Sequence, residues 1–245
     1  MKNFNKYKEK GDIHWQEALS RSIFKFNAHL SARYKIALDF LGDVRGKTVL
    51  DVGAGDGALS FLAAKKGAFV TAVDNSSEGL EMAKRNFKKN GMNGSFLLAD
   101  VYDISLPSCS ADAILSCDVI EHLENPAAHL KEIHRLLKPG GKLVLSTPCR
   151  LSEHPHDKYH IHEFYPNELR KILEENFSVI AIKESHHILW FGLYSLNIPI
   201  IRRPLLKYAI NAFSLWFGKN PFLKDDIKRG KRDYYTMINY LAEKI

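Results

Sequence analysis

"VLDVGAGDGALS", residues 49–60, is the stretch whose reading decides the fold. Val49, Leu50 and Val52 form an apolar run that ends on glycines at 53, 55 and 57, and the chain then passes into helix-forming residues from Ala58. That order predicts a strand, a tight turn and a helix. Glycine there permits positive φ and close approach of a ligand to the backbone. The first turn of the helix offers N–H groups without intrahelical partners. Turns of this kind commonly receive phosphate. This one carries Asp51 before the first glycine and Asp56 within the turn, and a carboxylate repels a phosphate beside it. The expected occupant is something other than a bare anion.

Outward from the turn, short apolar runs recur: "FVTAVD" (69–74), "SFLLAD" (95–100), "ADAILSC" (111–117), "KLVLST" (142–147), "FSVIAI" (177–182) and "YYTMINYLA" (234–242). Amphipathic stretches separate them, such as "EGLEMAKRNFKKN" (78–90) and "PAAHLKEIHRLLK" (126–138). Nearly continuous apolar strands alternating with helices predict an α/β, doubly wound, mostly parallel sheet covered on both faces. The chain, 1–245, reads as a single domain. Residues 1–46 form an N-terminal helical extension stopped by Gly42, residues 47–184 the cofactor-binding core, and residues 186–232 a basic, apolar insertion before the last strand.

Open α/β sheets bind ligands beyond the carboxyl ends of their strands, and acids gather at that edge. Asp74 ends the second strand, placed to accept from two ribose hydroxyls. Asp100 ends the third, placed to accept from an adenine amino group while Val101 donates its backbone N–H; Asp118 follows the fourth. Gly53, Gly55 and Ala58 also satisfy the G-x-G-x-x-G/A spacing of dinucleotide sites, so a nicotinamide oxidoreductase is the competing enzyme reading. Asp51 opposes a pyrophosphate. S-adenosylmethionine, which carries an ammonium and a sulfonium but no phosphate, is attracted instead.

"VLDVGAGDG", "VTAVDNS", "LLADVYD", "DAILSCDVIEHLENP" and "LLKPGGKLVLSTP" together resemble the successive motifs of the class I S-adenosylmethionine-dependent methyltransferases, in their small-molecule branch. The resemblance covers about residues 46–184. It implies a seven-stranded, Rossmann-like sheet whose last strand is antiparallel. It also implies that Asp51, Gly53 and Gly55 line the methionine moiety, that Asp74 takes the ribose, that Asn75 and Val101 flank the adenine, and that Asp100 binds its amino group. Asp118 is counted with these cofactor-binding residues.

Methyl transfer from a sulfonium needs an in-line nucleophile held close, so positioning and desolvation provide most of the rate. An oxygen nucleophile must also lose its proton. His122, after the fourth strand, is the candidate base because histidine titrates near neutral pH; its other reading is a residue that merely orients its loop. The segment after the fifth strand holds His154, His156, His160 and His162. The acid-x-x-Glu-His run Asp118–Glu121–His122 with a distant histidine is similar to ubiquinone-pathway O-methyltransferases and small-RNA 2′-O-methyltransferases. That likeness implies a divalent metal on Asp118, Glu121, His122 and His160 or His162; the alternative is a polar loop closing over substrate.

The net charge of +7 lies in one place. Residues 186–232 hold nine Lys or Arg against two Asp, which accounts for the whole excess. Within this segment Leu205, Leu206, Ala209, Ile210, Phe213, Trp216 and Phe217 share one helical face, with Lys207, Asn211 and Ser214 on another. An amphipathic helix ordinarily packs its apolar face on the core. Aromatic and aliphatic residues beside lysines also suit a membrane surface. The apolar density exceeds what a phosphate groove needs, which argues against nucleic acid. Cys109, Cys117 and Cys149 have no metal-ligand or disulfide spacing, and the chain shows no secretory signal and no membrane-spanning run.

The sequence therefore predicts a cytoplasmic, membrane-peripheral methyltransferase. Its donor is S-adenosylmethionine and its acceptor an oxygen on a small-molecule or lipid-linked, quinone-like compound. An RNA 2′-O-methyltransferase with a divalent metal and a noncatalytic, S-adenosylmethionine-binding membrane adaptor are the alternatives.

Overall fold

The computed structural model describes residues 7, 11–152, 155, 157–196, 205–224 and 234–245. Two helices, α1 (Ile13–Leu19) and α2 (Ala28–Leu41), precede β1 (Thr48–Val52). Then come α3 (Ala58–Lys65), β2 (Phe69–Asp74), α4 (Ser77–Lys89), β3 (Ser95–Leu98), β4 (Ala111–Cys117), α5 (Pro126–Leu136) and β5 (Leu137–Pro148). The chain continues through α6 (Pro166–Glu174), β6 (Phe177–His187), α7 (Ile188–Ser195), α8 (Leu205–Phe217) and β7 (Tyr235–Lys244).

The seven strands form one sheet in the order β3-β2-β1-β4-β5-β7-β6. β1, β2, β3, β4 and β5 pair in parallel, and β7 runs antiparallel between β5 and β6. This is a doubly wound, Rossmann-like α/β sheet, with the helical insertion before an antiparallel last strand as the sequence predicts. Alternation along each strand serves two cores. Leu50, Ile114, Leu143 and Ile238 pack beneath Leu130 and Ile133 of α5 and Leu169 of α6. Val49, Val70, Leu115 and Val144 pack on the opposite face beneath Leu41 of α2, Leu59 of α3 and Phe87 of α4.

Local signals set the helix ends. Asn27, Ser76 and Asn125 each accept a backbone N–H from the first turn of the helix they precede, which satisfies a donor that would otherwise be orphaned. Gly57 caps α3 in the left-handed conformation, with φ 77°. A Cβ there would stand 2.6 Å from Cβ of Ala83 on α4. Gly57→Ala should therefore lose about 2 kcal/mol of stability from backbone strain, with a further loss as α3 and α4 separate. Denaturant unfolding measures this, and an unchanged midpoint would contradict the close approach.

Four strands depart from their sequence-based boundaries, β7 only by one residue at its start and two at its end. β3 stops at Leu98, so Asp100 lies beyond it in an isolated bridge with Asp103. β5 begins at Leu137 and crosses "KPGG" with a register shift against β4. β6 runs on to His187 because its polar end is buried against the N-terminal segment: Ser185 and His186 bond each other at 2.8 Å, and His186 Nε2 donates to the His29 carbonyl at 2.9 Å.

The insertion also differs from the ordinary amphipathic arrangement. α8 packs Ile210 and Leu215 inward but leaves most of its apolar face outside. Asn211, from the polar side, is fully buried, while Trp216 and Phe217 are 70% and 65% exposed. Asn211, Tyr194 of α7 and Phe222 pack against the start of α2, so the described part of the insertion sits on the N-terminal helices.

Candidate functional site

The turn after β1 sits at the carboxyl edge of the sheet with three buried carboxylates around it. Asp51, on β1, accepts from Ser60 Oγ at 2.5 Å. Asp56 accepts from the Trp15 backbone N–H at 2.9 Å. Asp74 accepts from Gly55 N–H at 2.7 Å and Ser76 N–H at 2.8 Å. Burial disfavours their ionised forms. It pushes Asp51 up to about 7 and Asp56 up to about 6, and raises Asp74 as well. Neighbouring acids add to the shift at Asp51. Three buried acids are thus gathered around one turn, and their negative charge favours a cation beside them.

Gly53 takes φ 80° and lies against Val119, where a side chain would collide. Gly55 lies directly under the phenol of Tyr7. Tyr7 belongs to a roof that sequence reasoning missed. Its phenol is raised well above the ordinary value by burial and by Asp74, Asp56 and Asp51. Tyr34 of α2 is raised by burial, Asp56 and Asp51. Residues from the N-terminal helices thus cover the glycine turn.

Arg33, also on α2, forms an ion pair with Asp118, which follows β4 with φ 59°. Arg33 Nε and Asp118 Oδ1 are buried without a hydrogen-bond partner among the described residues. A guanidinium and a carboxylate, each with unused capacity, therefore face the rim together. Nothing near Arg33 in the sequence marks it, because its partners come from "CDVIEH", more than eighty residues away.

After β2 and β3 the residues that the sequence analysis assigns to adenine are held less tightly. Asn75 and Asp100 are exposed, Asp100 accepts from Tyr102 N–H at 3.0 Å, and Val101 is buried with its carbonyl accepting from His129 at 3.2 Å.

Past β4, Glu121, His122 and His160 bring one ligand atom each to within 4.8 Å of one another. Two backbone bonds fold the later segment onto this point: Ile161 and His162 N–H both donate to the Glu121 carbonyl. His122 Nδ1 lies 3.1 Å from the Tyr159 carbonyl. A carbonyl only accepts, so the proton sits on Nδ1 and Nε2 carries the lone pair. His160 Nδ1 lies 2.7 Å from Glu163 Oε1, the carboxylate contact that orients a metal-binding imidazole. Glu121 is buried and accepts from Thr147 Oγ1 at 3.0 Å. Of the other candidates, Asp118 pairs with Arg33 rather than joining this group, His162 stacks obliquely by Phe164, and His154 and His156 lie outside the described residues.

Residues 50–145 match a family described as a methyltransferase domain. The chain is 38% identical over 104 residues to a ubiquinone biosynthesis O-methyltransferase of Coxiella burnetii, a match covering 42% of this chain and 44% of that protein. It is 37% identical over 122 residues to the protein of the same name from Xanthomonas oryzae pv. oryzae, covering 48% and 51%. The matched region thus spans about half the length of these curated relatives. A solved SAM dependent methyltransferase from Aquifex aeolicus superposes with a TM-score of 0.58 at 20% identity, over 87% of this chain and 89% of that one.

Proposed function

We propose that the protein is a class I S-adenosylmethionine-dependent methyltransferase that transfers a methyl group from S-adenosylmethionine to an oxygen of a small-molecule acceptor, lipid-linked or quinone-like. The methyltransferase-domain match over residues 50–145 supports this reading. The observation that carries this reading is the trio of buried carboxylates, Asp51, Asp56 and Asp74, around a glycine turn at the sheet's carboxyl edge. Such a pocket rejects pyrophosphate and accepts a cationic nucleoside. Asp51 and Asp118 take the donor's ammonium and Arg33 its carboxylate. Asp74 takes the ribose hydroxyls, while Asn75, Asp100 and Val101 hold the adenine.

In the reaction a lone pair of the acceptor oxygen attacks the methyl carbon in line with the carbon–sulfur bond. That bond breaks, S-adenosylhomocysteine leaves, and His122 Nε2 takes the hydroxyl proton. The burial that raises the acids also keeps water from the sulfonium. The acceptor class is supported by the relatives, both ubiquinone biosynthesis O-methyltransferases. Free thiols at Cys109, Cys117 and Cys149 fit a reducing, cytoplasmic setting.

One observation favours a second form of hydroxyl activation. Glu121, His122 and His160 have the donor set of a divalent cation, and a bound metal would acidify the acceptor hydroxyl. His122 Nε2 serves one role or the other.

Calorimetry against S-adenosylhomocysteine and NAD tests the donor, and mass spectrometry of phenolic, polyprenyl and sugar acceptors tests the product. Uptake of NAD with no affinity for sulfonium or thioether nucleosides would overturn the proposal.

The raised acids also predict a pH signature. Without ligand, the folded protein holds protons on Asp51 and Asp56 that the unfolded chain releases near pH 4. Stability contributed by these groups therefore falls as pH rises from about 4 to about 7. A cationic donor favours the ionised acids, so its binding should release protons and tighten between pH 5 and 7. Calorimetry in two buffers of different ionisation enthalpy measures that release, and Asp51→Asn should diminish it. A donor affinity constant across this range would contradict the arrangement.

A further inference from the structure

Most of the apolar face of α8 points away from the protein, against what its pattern favours. Leu205, Leu206, Phe213, Trp216 and Phe217 all face outward, although burial of such side chains is ordinarily what holds an amphipathic helix in place. The polar side is the anchored one. Asn211 Oδ1 accepts from Ala28 N–H and the Tyr194 hydroxyl, and its Nδ2 donates to the carbonyls of Ile23 and Phe26. All four hydrogen-bonding positions of the amide are used. The helix is therefore held by these polar contacts together with inward-packed Ile210 and Leu215, while the rest of its apolar stripe is turned away from the protein.

The patch continues beyond α8. Phe24, 68% exposed, meets Tyr208 edge-on at 5.1 Å between ring centroids. Lys207, within α8, turns its ammonium inward over the Tyr194 ring, while Lys219 and Lys224, which follow the helix, are both exposed. Residues 186–232 carry the chain's whole charge excess of +7. Apolar side chains rimmed by lysine match the chemistry of a phospholipid surface that contains anionic headgroups. At 13 residues α8 is about 20 Å long. Among the described residues no helix is long and apolar enough to cross a membrane, so α8 would lie in the interfacial plane. A second copy of the chain would bring one cluster of lysines against another, which like-charge repulsion opposes.

We propose that the outward face of α8, with Phe24, docks this protein on membranes containing anionic phospholipid, independently of its catalytic chemistry. The test is flotation or co-sedimentation of the full chain with vesicles of phosphatidylcholine alone and with one third phosphatidylglycerol. Binding is expected on the anionic vesicles and should weaken as salt rises. The triple variant Phe213→Ser/Trp216→Ser/Phe217→Ser should bind at least tenfold more weakly. Its melting temperature and donor affinity should stay near wild type, because these side chains are exposed and remote from the glycine turn. Lys219→Glu/Lys224→Glu should lose the preference for anionic vesicles. Equal recovery of wild type in the supernatant with and without anionic lipid would overturn the proposal. So would a dimer that the triple variant dissolves, or a preference for single-stranded oligonucleotide over vesicles. Donor binding is read separately, so failure here leaves the methyltransferase assignment intact.

Discussion

His122→Ala is expected to lower kcat by about a hundredfold to ten-thousandfold, the usual contribution of a positioned general base, while the donor's Kd changes by less than about twofold. The separation follows from placement. The donor's ammonium, ribose and adenine are assigned to Asp51, Asp74 and the rim after β3, whereas His122 lies in the turn after β4 with Nδ1 engaged by the Tyr159 carbonyl. The remaining activity should rise with pH as the acceptor hydroxyl ionises without help. Glu121→Gln and His160→Ala separate the two forms of activation. If His122 acts alone as base, both retain activity after chelator treatment, with losses confined to loop positioning. If a metal sits on Glu121, His122 and His160, all three variants fall together and so does chelated wild type, which added Mg, Mn or Zn then restores. Full activity of His122→Ala with every acceptor would remove this residue from the chemistry.

Asn211→Leu should lower the unfolding free energy by about 3 kcal/mol, although leucine suits a helix and a buried site. The reason is the asymmetry between making a hydrogen bond and leaving its partner buried. The Ala28 N–H and the Tyr194 hydroxyl retain each other at 3.1 Å. The carbonyls of Ile23 and Phe26, which accept from Asn211 Nδ2 at 2.8 and 2.5 Å, lose that donor. For a chain of this length the loss corresponds to a fall in melting temperature of about 6–12 °C. Thermal unfolding followed by circular dichroism measures it. A melting temperature within about 2 °C of wild type would show that Asn211 does not hold α8 in place. Contrast with the triple variant of the outward face is informative: the polar substitutions there should cost little, and the apolar one here should cost much.

Legibility from sequence followed the range of the interactions involved. β1, β2 and β4 occupy the residues their apolar runs mark, because a strand buried on both faces writes its burial into consecutive positions. The glycine turn and its acids were equally plain, since positive φ and a strand-end carboxylate are properties of single positions. β6 was underestimated because its last five residues are polar or charged and are held by partners on α2 and β7. The histidines after β5 were legible as a set, but spacing along a loop does not say which one folds back. Backbone donation from Ile161 and His162 to Glu121 brings His160, not His162, to His122.

By itself, then, the sequence determined the alternation of strands and helices, the turn after β1 and the acidic rim, all encoded in periodicity or in residues a few positions apart. Only the tertiary structure decided that Tyr7 covers the turn at Gly55, that Arg33 claims Asp118, and that α8 turns most of its apolar side outward. Those outcomes depend on groups dozens to nearly two hundred residues apart. Local propensity carries no information about such pairs, and a single satisfied amide at Asn211 outweighs the pattern of the helix that bears it.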